Sequence, residues 1–278
     1  MVVSPHCSPL QDMNDLIEYL AGLQTGSRGT PDGKPFLHEY RGELSLHFEP
    51  QAIQSRMLRN APDELVLGYT KAMMAFLLFH SAPARIAMIG LGGGSMAKYC
   101  LRTLPSVDFT AIEISPEVIA FRSEFAIPPD SARFRVICAD GADYVRDASN
   151  RVDALIVDGF DASGQPPQLC SQDFYDQCHG RLSENGVLVT NFWAADVDYG
   201  ACISRLRRSF YDQVVSVSSE DPENRIVFAC KGRGFPPPER ELLDRARALD
   251  KVHRIDFTRM AVAILRRLRK RAGKQAST

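Results

Sequence analysis

The 278-residue chain carries 33 Lys and Arg against 34 Asp and Glu, a net charge of −1, which excludes a generic polyanion binder. With 45% hydrophobic and 24% charged residues, it has the composition of a soluble globular protein. Its length suits one large α/β domain, or such a domain with a small appendage.

The seven cysteines are scattered, with no C-x-x-C pair. That pattern predicts reduced thiols rather than a disulfide framework or a zinc site. The opening "MVVSPHCSPL" has no basic region followed by an apolar stretch, so no signal peptide is expected. The longest apolar run, "AMMAFLLF" at 72–79, is too short to cross a bilayer. These features predict a cytoplasmic protein.

In chain order, a short helical pattern at about 10–22 precedes a polar loop, "TGSRGTPDGKP". Two β-like stretches follow, "FLHEY" and "ELSLHF", and then a helical stretch, "ELVLGYTKAMMAFLLFH". From Arg85 the signals alternate. "RIAMIG" is a short buried strand ended by glycine, and a helix follows over 95–104. "DFTAIEI" is a second strand, and "SPEVIAFRSEFA" is a helix with Ser115 as N-cap and Pro116 in its first turn. "RFRVICAD" and "VDALIVDGF" are the third and fourth strands, with the short helix "GADYVRDA" between them. The loop "DASGQPPQLC" leads to a helix from about Ser171, and "GVLVTNFW" is the fifth strand, followed by a helix over 196–210.

Two β-runs close the series, "QVVSVSSE" and "RIVFACK", separated by the turn residues "DPEN". A parallel pair needs a crossover of about a dozen residues or more, so these two are antiparallel neighbours or lie in different sheets. A mostly parallel α/β sheet whose last strand is antiparallel is the Rossmann-like arrangement of class I S-adenosylmethionine-type domains. A doubly wound NAD domain usually stays parallel. The chain divides into an N-terminal helix, small β-rich module and linking helix (1–80), a nucleoside-binding domain (81–235) and a basic helical segment (236–278).

Candidate site residues fall at the strand ends. The loop Gly90-Leu91-Gly92-Gly93-Gly94-Ser95 follows the first strand, where ligands bind in open α/β sheets. Glycines there let backbone approach a ligand closely, although a plain strand-to-helix turn would look similar. A strict G-x-G-x-x-G would need glycine at 95, which is serine. Glu113 ends the second strand and can accept hydrogen bonds from both ribose hydroxyls, or face solvent before an N-cap. Asp140 ends the third strand and can receive an adenine amino group beside the backbone of Gly141 and Ala142, or simply cap a helix. Asp158 and Asp161 end the fourth strand. Two carboxylates at the mouth of a site can hold an ammonium and take the proton that an amine loses on becoming a nucleophile. The plainer reading is one cap and one loop residue. No paired metal spacing occurs among the six histidines or the cysteines, so no metal site is expected. Trp193, the single tryptophan, is read as a site wall or core residue.

From about 40 to 231 the chain resembles the spermidine/spermine synthase family, the polyamine aminopropyltransferases. "IGLGGGS" stands for the family's GGGDGG loop, "AIEIS" for V-E-I-D and "ADGADY" for G-D-A/G. "VDGFDASGQPPQLCSQDFYD" stands for D-S-S-D-P-x-G-P-x-x-x-L-x-x-x-x-F-Y, keeping both aspartates, Gly164, Pro166, Leu169 and Phe174-Tyr175. "QAIQS" and "PDEL…Y" match the upstream Q-S and D-E…Y more loosely. The resemblance implies that Gly90, Gly92, Gly93, Gly94, Glu113, Asp140, Gly141 and Ala142 hold the nucleoside of decarboxylated S-adenosylmethionine. It makes Asp158 the base, Asp161 a holder of the amine, Gln54 a contact at the nucleoside end and Tyr69 a pocket wall. It implies transfer of an aminopropyl group to a small-molecule amine with release of methylthioadenosine, no permanently bound cofactor, and a homodimer.

Three positions depart from the family pattern. Its loop aspartate is Gly93 here, its Y-H-E/Y-Q-E segment reads Tyr69-Thr70-Lys71, and the proline of D-S-S-D-P is Ala162. Losing a charge-assisted hydrogen bond costs about 1.5–3 kcal/mol, so the nucleoside half looks intact while the amine half is altered. Two other readings stay open: a methyltransferase using intact S-adenosylmethionine, for whose carboxylate Gly93 would leave room, and a non-catalytic nucleoside binder. An NAD dehydrogenase is disfavoured by Ser95 and the terminal β-pair. No N/D-P-P-Y/F motif marks a nucleic-acid methyltransferase. From Lys251 to Lys274 there are nine Lys or Arg and one acid, Asp256. This stretch is read as a packed helix with a solvated basic face, the alternative being contact with an anionic membrane or nucleic acid.

Overall fold

The computed structural model describes residues 34–49, 52–147, 150–160, 164–221 and 223–275. The helix expected at about 10–22, and Asp161 and Ala162, lie outside the described residues. β1 (Phe36–Tyr40), β2 (Glu43–Glu49) and β3 (Ala52–Leu58) form an antiparallel sheet in that order. The third strand, "AIQSRML", carries a polar stretch that hides it from periodicity. Its Arg56 is buried and pairs with Glu43 at 3.4 Å.

The linking helix is shorter than the apolar run suggests. α1 (Gly68–Met73) passes into a 3-10 segment, Met74–Leu78, whose side chains are all buried. The larger sheet then unfolds as anticipated. β4 (Arg85–Ile89), β5 (Asp108–Glu113), β6 (Phe134–Cys138), β7 (Val152–Val157) and β8 (Leu182–Trp193) are mutually parallel. β9 (Val214–Ser218) and β10 (Asn224–Cys230) complete the order β6-β5-β4-β7-β8-β10-β9. β10 is antiparallel to both its neighbours, so it slots between β8 and β9. The closing pair are therefore antiparallel neighbours in one sheet.

Helices cover both faces. α2 (Ser95–Thr103) and the C-terminal α7 (Glu239–Asp250) and α8 (Phe257–Gln275) share one core with the 3-10 segment. α4 (Gly141–Arg146), α5 (Gln172–Arg181) and α6 (Tyr199–Ser209) share the other. The helix expected over 115–126 stops early: α3 covers only Pro116–Ala120, after which the chain turns and Ala126 takes a positive φ of 51°. The turn brings Phe125 inward, where the buried Lys98 donates to its carbonyl at 2.5 Å.

α8 packs against α7, the 3-10 segment and β9. Its basic residues are partly paired, Arg259 with Glu220 at 2.9 Å and Arg271 with Asp212 at 3.0 Å. Among the described residues no helix is long and apolar enough to cross a membrane. One expectation is corrected: Cys170 and Cys202 are joined by a disulfide, with Cα atoms 5.4 Å apart. They lie 32 residues apart in sequence, and only the packing of α6 beside the segment before α5 brings them together.

Asp153, inside β7, ties the sheet entrance together. Its Oδ2 accepts the N–H groups of Ala84 at 2.8 Å and Arg85 at 3.0 Å, and its Oδ1 accepts the Ser183 hydroxyl at 2.7 Å. Burial works to raise its pKa, but the hydrogen bonds from Ser183, Arg85 and Ala84 outweigh it and hold the carboxyl below its ordinary value. A lowered folded-state pKa gives stability that is present above the unfolded value and lost as pH falls through the folded one. Asp153→Ala should cost about 1–2 kcal/mol in urea unfolding at pH 7. The deficit should shrink on acidification below the ordinary aspartate range.

Candidate active site

A cavity of about 410 Å³ opens at the carboxyl ends of β4, β5, β7 and β8, roofed by β2 and β3. Its floor depends on Gly90. With φ at +94°, a Cβ there would sit 2.2 Å from the Asp158 carbonyl oxygen, so no other residue lets these strand ends meet. Gly90 and Gly92 are in the cavity wall. Gly93 and Gly94 turn the other way. A Cβ on Gly93 would come within 2.7 Å of both the Phe125 ring and Ser55 Oγ, and one on Gly94 within 2.6 Å of Ile127.

Glu113 is 9% exposed and bonds in two directions. Oε2 accepts the Leu91 N–H at 2.9 Å and Oε1 the Ser115 N–H at 2.9 Å, pinning the glycine loop to the end of β5. Each oxygen keeps a second lone pair, and the residue lines the cavity. Asp140 caps α4, accepting the Ala142 N–H at 2.6 Å, and also stands in the wall beside Gly141. Ala142 supplies that N–H and is not itself in the wall. Ile114, 61% exposed, adds an apolar surface to the same wall. A carboxylate for a diol, an apolar shelf and a second carboxylate suit the ribose and base of a nucleoside.

The other end of the cavity centres on Asp158. Asn191 Nδ2 donates to its Oδ1 at 3.1 Å, and the Tyr69 hydroxyl also bonds to it. Withdrawal from water pushes the Asp158 carboxyl up to about 6, although the Asn191 and Tyr69 bonds oppose the rise. Burial and the nearby Asp158 charge raise the Tyr69 hydroxyl well above its ordinary value, so it stays protonated and donates. Tyr69 is fixed through its own N–H, which bonds to Asp221 Oδ2 at 3.0 Å. Asn191 is 3% exposed, and its Oδ1 is buried with no hydrogen-bond partner among the described residues. Gln54, Trp193, Glu49 and Glu223 also line the cavity. Trp193 is 48% exposed, a wall residue rather than a core one.

Similarity to known proteins identifies the family. The model of the spermine/spermidine synthase domain matches residues 67–198. A polyamine aminopropyltransferase of Neisseria meningitidis is 37% identical over 222 residues, covering 79% of this chain and 84% of that protein. One of Chromobacterium violaceum is 40% identical over 188 residues, covering 67% and 72%. The chain belongs to the spermine/spermidine synthase family. Among solved structures, a spermidine synthase with the transition-state analogue AdoDATO matches at a TM-score of 0.65 and 18% identity, covering 83% of this chain and 85% of that one. Human methyltransferase-like protein 13, in complex with SAH, matches at 0.61 and 25%, covering 67% and 92%. The fold is thus shared by enzymes of two chemistries, and the sequence relatives distinguish between them.

The family's departures can now be located. Lys71 lies in α1 but is not part of the cavity wall, so it does not bring a cation into the site. The loop aspartate has no counterpart because Phe125 and Ser55 fill the space beside Gly93. Sequence reasoning missed Asn191 and Glu223. Asn191 had a signal, the polar pair Thr190-Asn191 inside an otherwise apolar buried strand. Glu223, in a turn, had none.

Gly93→Asp should therefore not restore an amine-binding carboxylate. Overpacking against Phe125 and Ser55 should lower stability by about 1–3 kcal/mol in chemical denaturation. Binding of methylthioadenosine by calorimetry should weaken with it.

Proposed function

We propose that the cavity transfers the aminopropyl group of decarboxylated S-adenosylmethionine to a small-molecule amine. The observation that carries this reading is Asp158, a carboxylate desolvated at the end of the nucleoside cavity and held by Asn191 and Tyr69. Glu113, Asp140 and the Gly90–Gly92 backbone bind the nucleoside, with Gln54 near its sulfur end. The amine enters from the side of Trp193, Glu49 and Glu223. Asp161 is read as a further holder of the amine, by its place in the family motif.

The amine nitrogen attacks the aminopropyl carbon next to the sulfonium. A C–N bond forms as the C–S bond breaks, and the C–S electron pair returns to sulfur, leaving neutral methylthioadenosine. The proton lost by nitrogen passes to Asp158. The sulfonium is already a good leaving group, so alignment of the two substrates and one base do most of the work. A base near the operating pH is efficient, and Asp158 at about 6 is closer to it than an ordinary aspartate. The unpartnered Asn191 Oδ1 supplies an acceptor for a second N–H of the nucleophile, which would orient its lone pair. A cytoplasmic location and a homodimer belong to the same reading. No permanently bound cofactor enters it.

The test is a mass-spectrometric end-point assay with decarboxylated S-adenosylmethionine and a panel of di- and polyamines, and in parallel with S-adenosylmethionine. Methylthioadenosine and a lengthened amine should appear together and be lost by 100-fold or more in Asp158→Asn, about the contribution of one well-placed base. S-adenosylhomocysteine with no methylthioadenosine would instead favour methyl transfer.

The acid limb gives a second check. The base must be ionised, so kcat/KM should fall about tenfold per pH unit below about 6 and level off above it. Tyr69 and Asn191 stabilise the charged form, so Tyr69→Phe and Asn191→Leu should each move that limb to higher pH. A limb that stays in place in both would detach the titration from Asp158.

A further inference from the structure

A second cavity, of about 520 Å³, lies at the other end of the large sheet. It is bordered by the first residues of three parallel strands, Arg85 of β4, Asp108 of β5 and Val152 of β7. The candidate active site sits at the opposite ends of these strands, so the two cavities share no lining residue.

Four arginines line it, Arg85, Arg135, Arg151 and Arg181, against two carboxylates, Asp108 and Asp147. Asp108 is engaged by Arg135, whose Nη2 donates to its oxygens at 2.8 and 2.7 Å. Asp147 is 3.9 Å from Arg181 Nη1, beyond hydrogen-bond reach. The wall therefore carries an excess of positive charge.

Arg181 is the unusual member. It ends α5 with its side chain only 3% exposed. Its Nε and Nη1 are buried and make no hydrogen bond among the described residues. Tyr144 stacks beneath it, with the guanidinium carbon 4.3 Å from the ring centroid, which orients the plane but satisfies no N–H. Buried guanidinium donors without acceptors are costly, and an anion is the group that would satisfy them. Arg85 and Arg151 are exposed at the mouth, where they can attract and close over such a ligand.

We propose that this arginine-lined cavity is a binding site for a compact oxyanion of the phosphate class. Arg181 supplies the fixed donors, and Arg85 and Arg151 the closing charges. Guanidinium forks match the oxygen spacing of phosphate, and three of them suit more than one negative charge better than a single carboxylate would. The proposal does not rest on the reaction assigned to the other cavity.

The test is titration of the full-length protein with inorganic phosphate, followed by calorimetry and thermal unfolding. Ionic strength is held constant with chloride, and acetate is the control for a monovalent carboxylate. Phosphate should give saturable binding and raise Tm, acetate should do so at least tenfold more weakly, and Asp158→Asn should bind phosphate normally. Two variants locate the site. Arg181→Met keeps the apolar bulk beneath Tyr144 and should weaken phosphate binding tenfold or more. Replacing a buried charge with an apolar residue of similar size is often neutral for stability, so this variant should fold. Arg85→Ala/Arg151→Ala changes only exposed residues and should weaken binding by a similar factor. No saturable phosphate binding, acetate binding as tightly as phosphate, or affinity unchanged in the double variant would overturn the proposal.

Discussion

A Cβ on residue 90 would lie 2.2 Å from the carbonyl oxygen of Asp158, so β4 and β7 end side by side only because residue 90 is glycine. That contact joins the two halves of the site. On one side Gly90 begins the loop that Glu113 pins through the Leu91 N–H. On the other it sets where the Asp158 backbone leaves the sheet, and with it the proposed base. In the proposed reaction, moving these strand ends apart would separate the nucleoside from the base assigned to it, and displacements of about an ångström can cost large factors in rate.

The same crowding explains why the amine end is built differently from the family pattern. The chain after α3 turns early, Lys98 holds the Phe125 carbonyl, and the Phe125 ring occupies the space beside Gly93. Burial lowers the Lys98 ammonium to about 8, so it remains largely charged at neutral pH and the hydrogen bond to Phe125 stays charge-assisted. A carboxylate at 93 and an aromatic at 125 are sterically exclusive. Besides Glu113 and Asp140, the cavity wall carries the carboxyl groups of Asp158, Glu49 and Glu223.

Much of this was legible in the sequence, for identifiable reasons. The strands β4, β5 and β7 are mostly apolar because both faces are covered by helices, and each ends at a glycine or acid that marks the cavity edge. The shortness of "DPEN" excluded a parallel closing pair, and the sheet order settles that the two strands are antiparallel neighbours. What escaped depended on tertiary contacts. β3 carries polar residues because Gln54 and Ser55 face the cavity and Arg56 pairs with Glu43, so its pattern does not alternate cleanly. The helix after Ser115 has a good cap and good periodicity, yet it ends at Ala120 because Phe125 is drawn in behind the glycine loop. The Cys170–Cys202 disulfide, 32 residues apart, has no local signature.

Several candidate residues have two jobs, which is why a motif alone could not separate binding from structure. Asp140 caps α4 and stands in the wall; Glu113 pins a loop and stands in the wall. A carboxylate oxygen has two lone pairs, so the structural bond does not exclude the ligand bond but aims it. The backbone N–H groups fix the carboxylate before substrate arrives, and no side-chain freedom need be lost on binding. Asn191 follows the same logic at the other end, with one amide atom spent on Asp158 and the other left as an acceptor. Arg181 differs: its buried Nε and Nη1 make no hydrogen bond among the described residues, and the Asp147 carboxylate stands 3.9 Å from Nη1. A buried guanidinium in a cavity wall with two nitrogens left unbonded is better understood as half of an interaction than as a complete one.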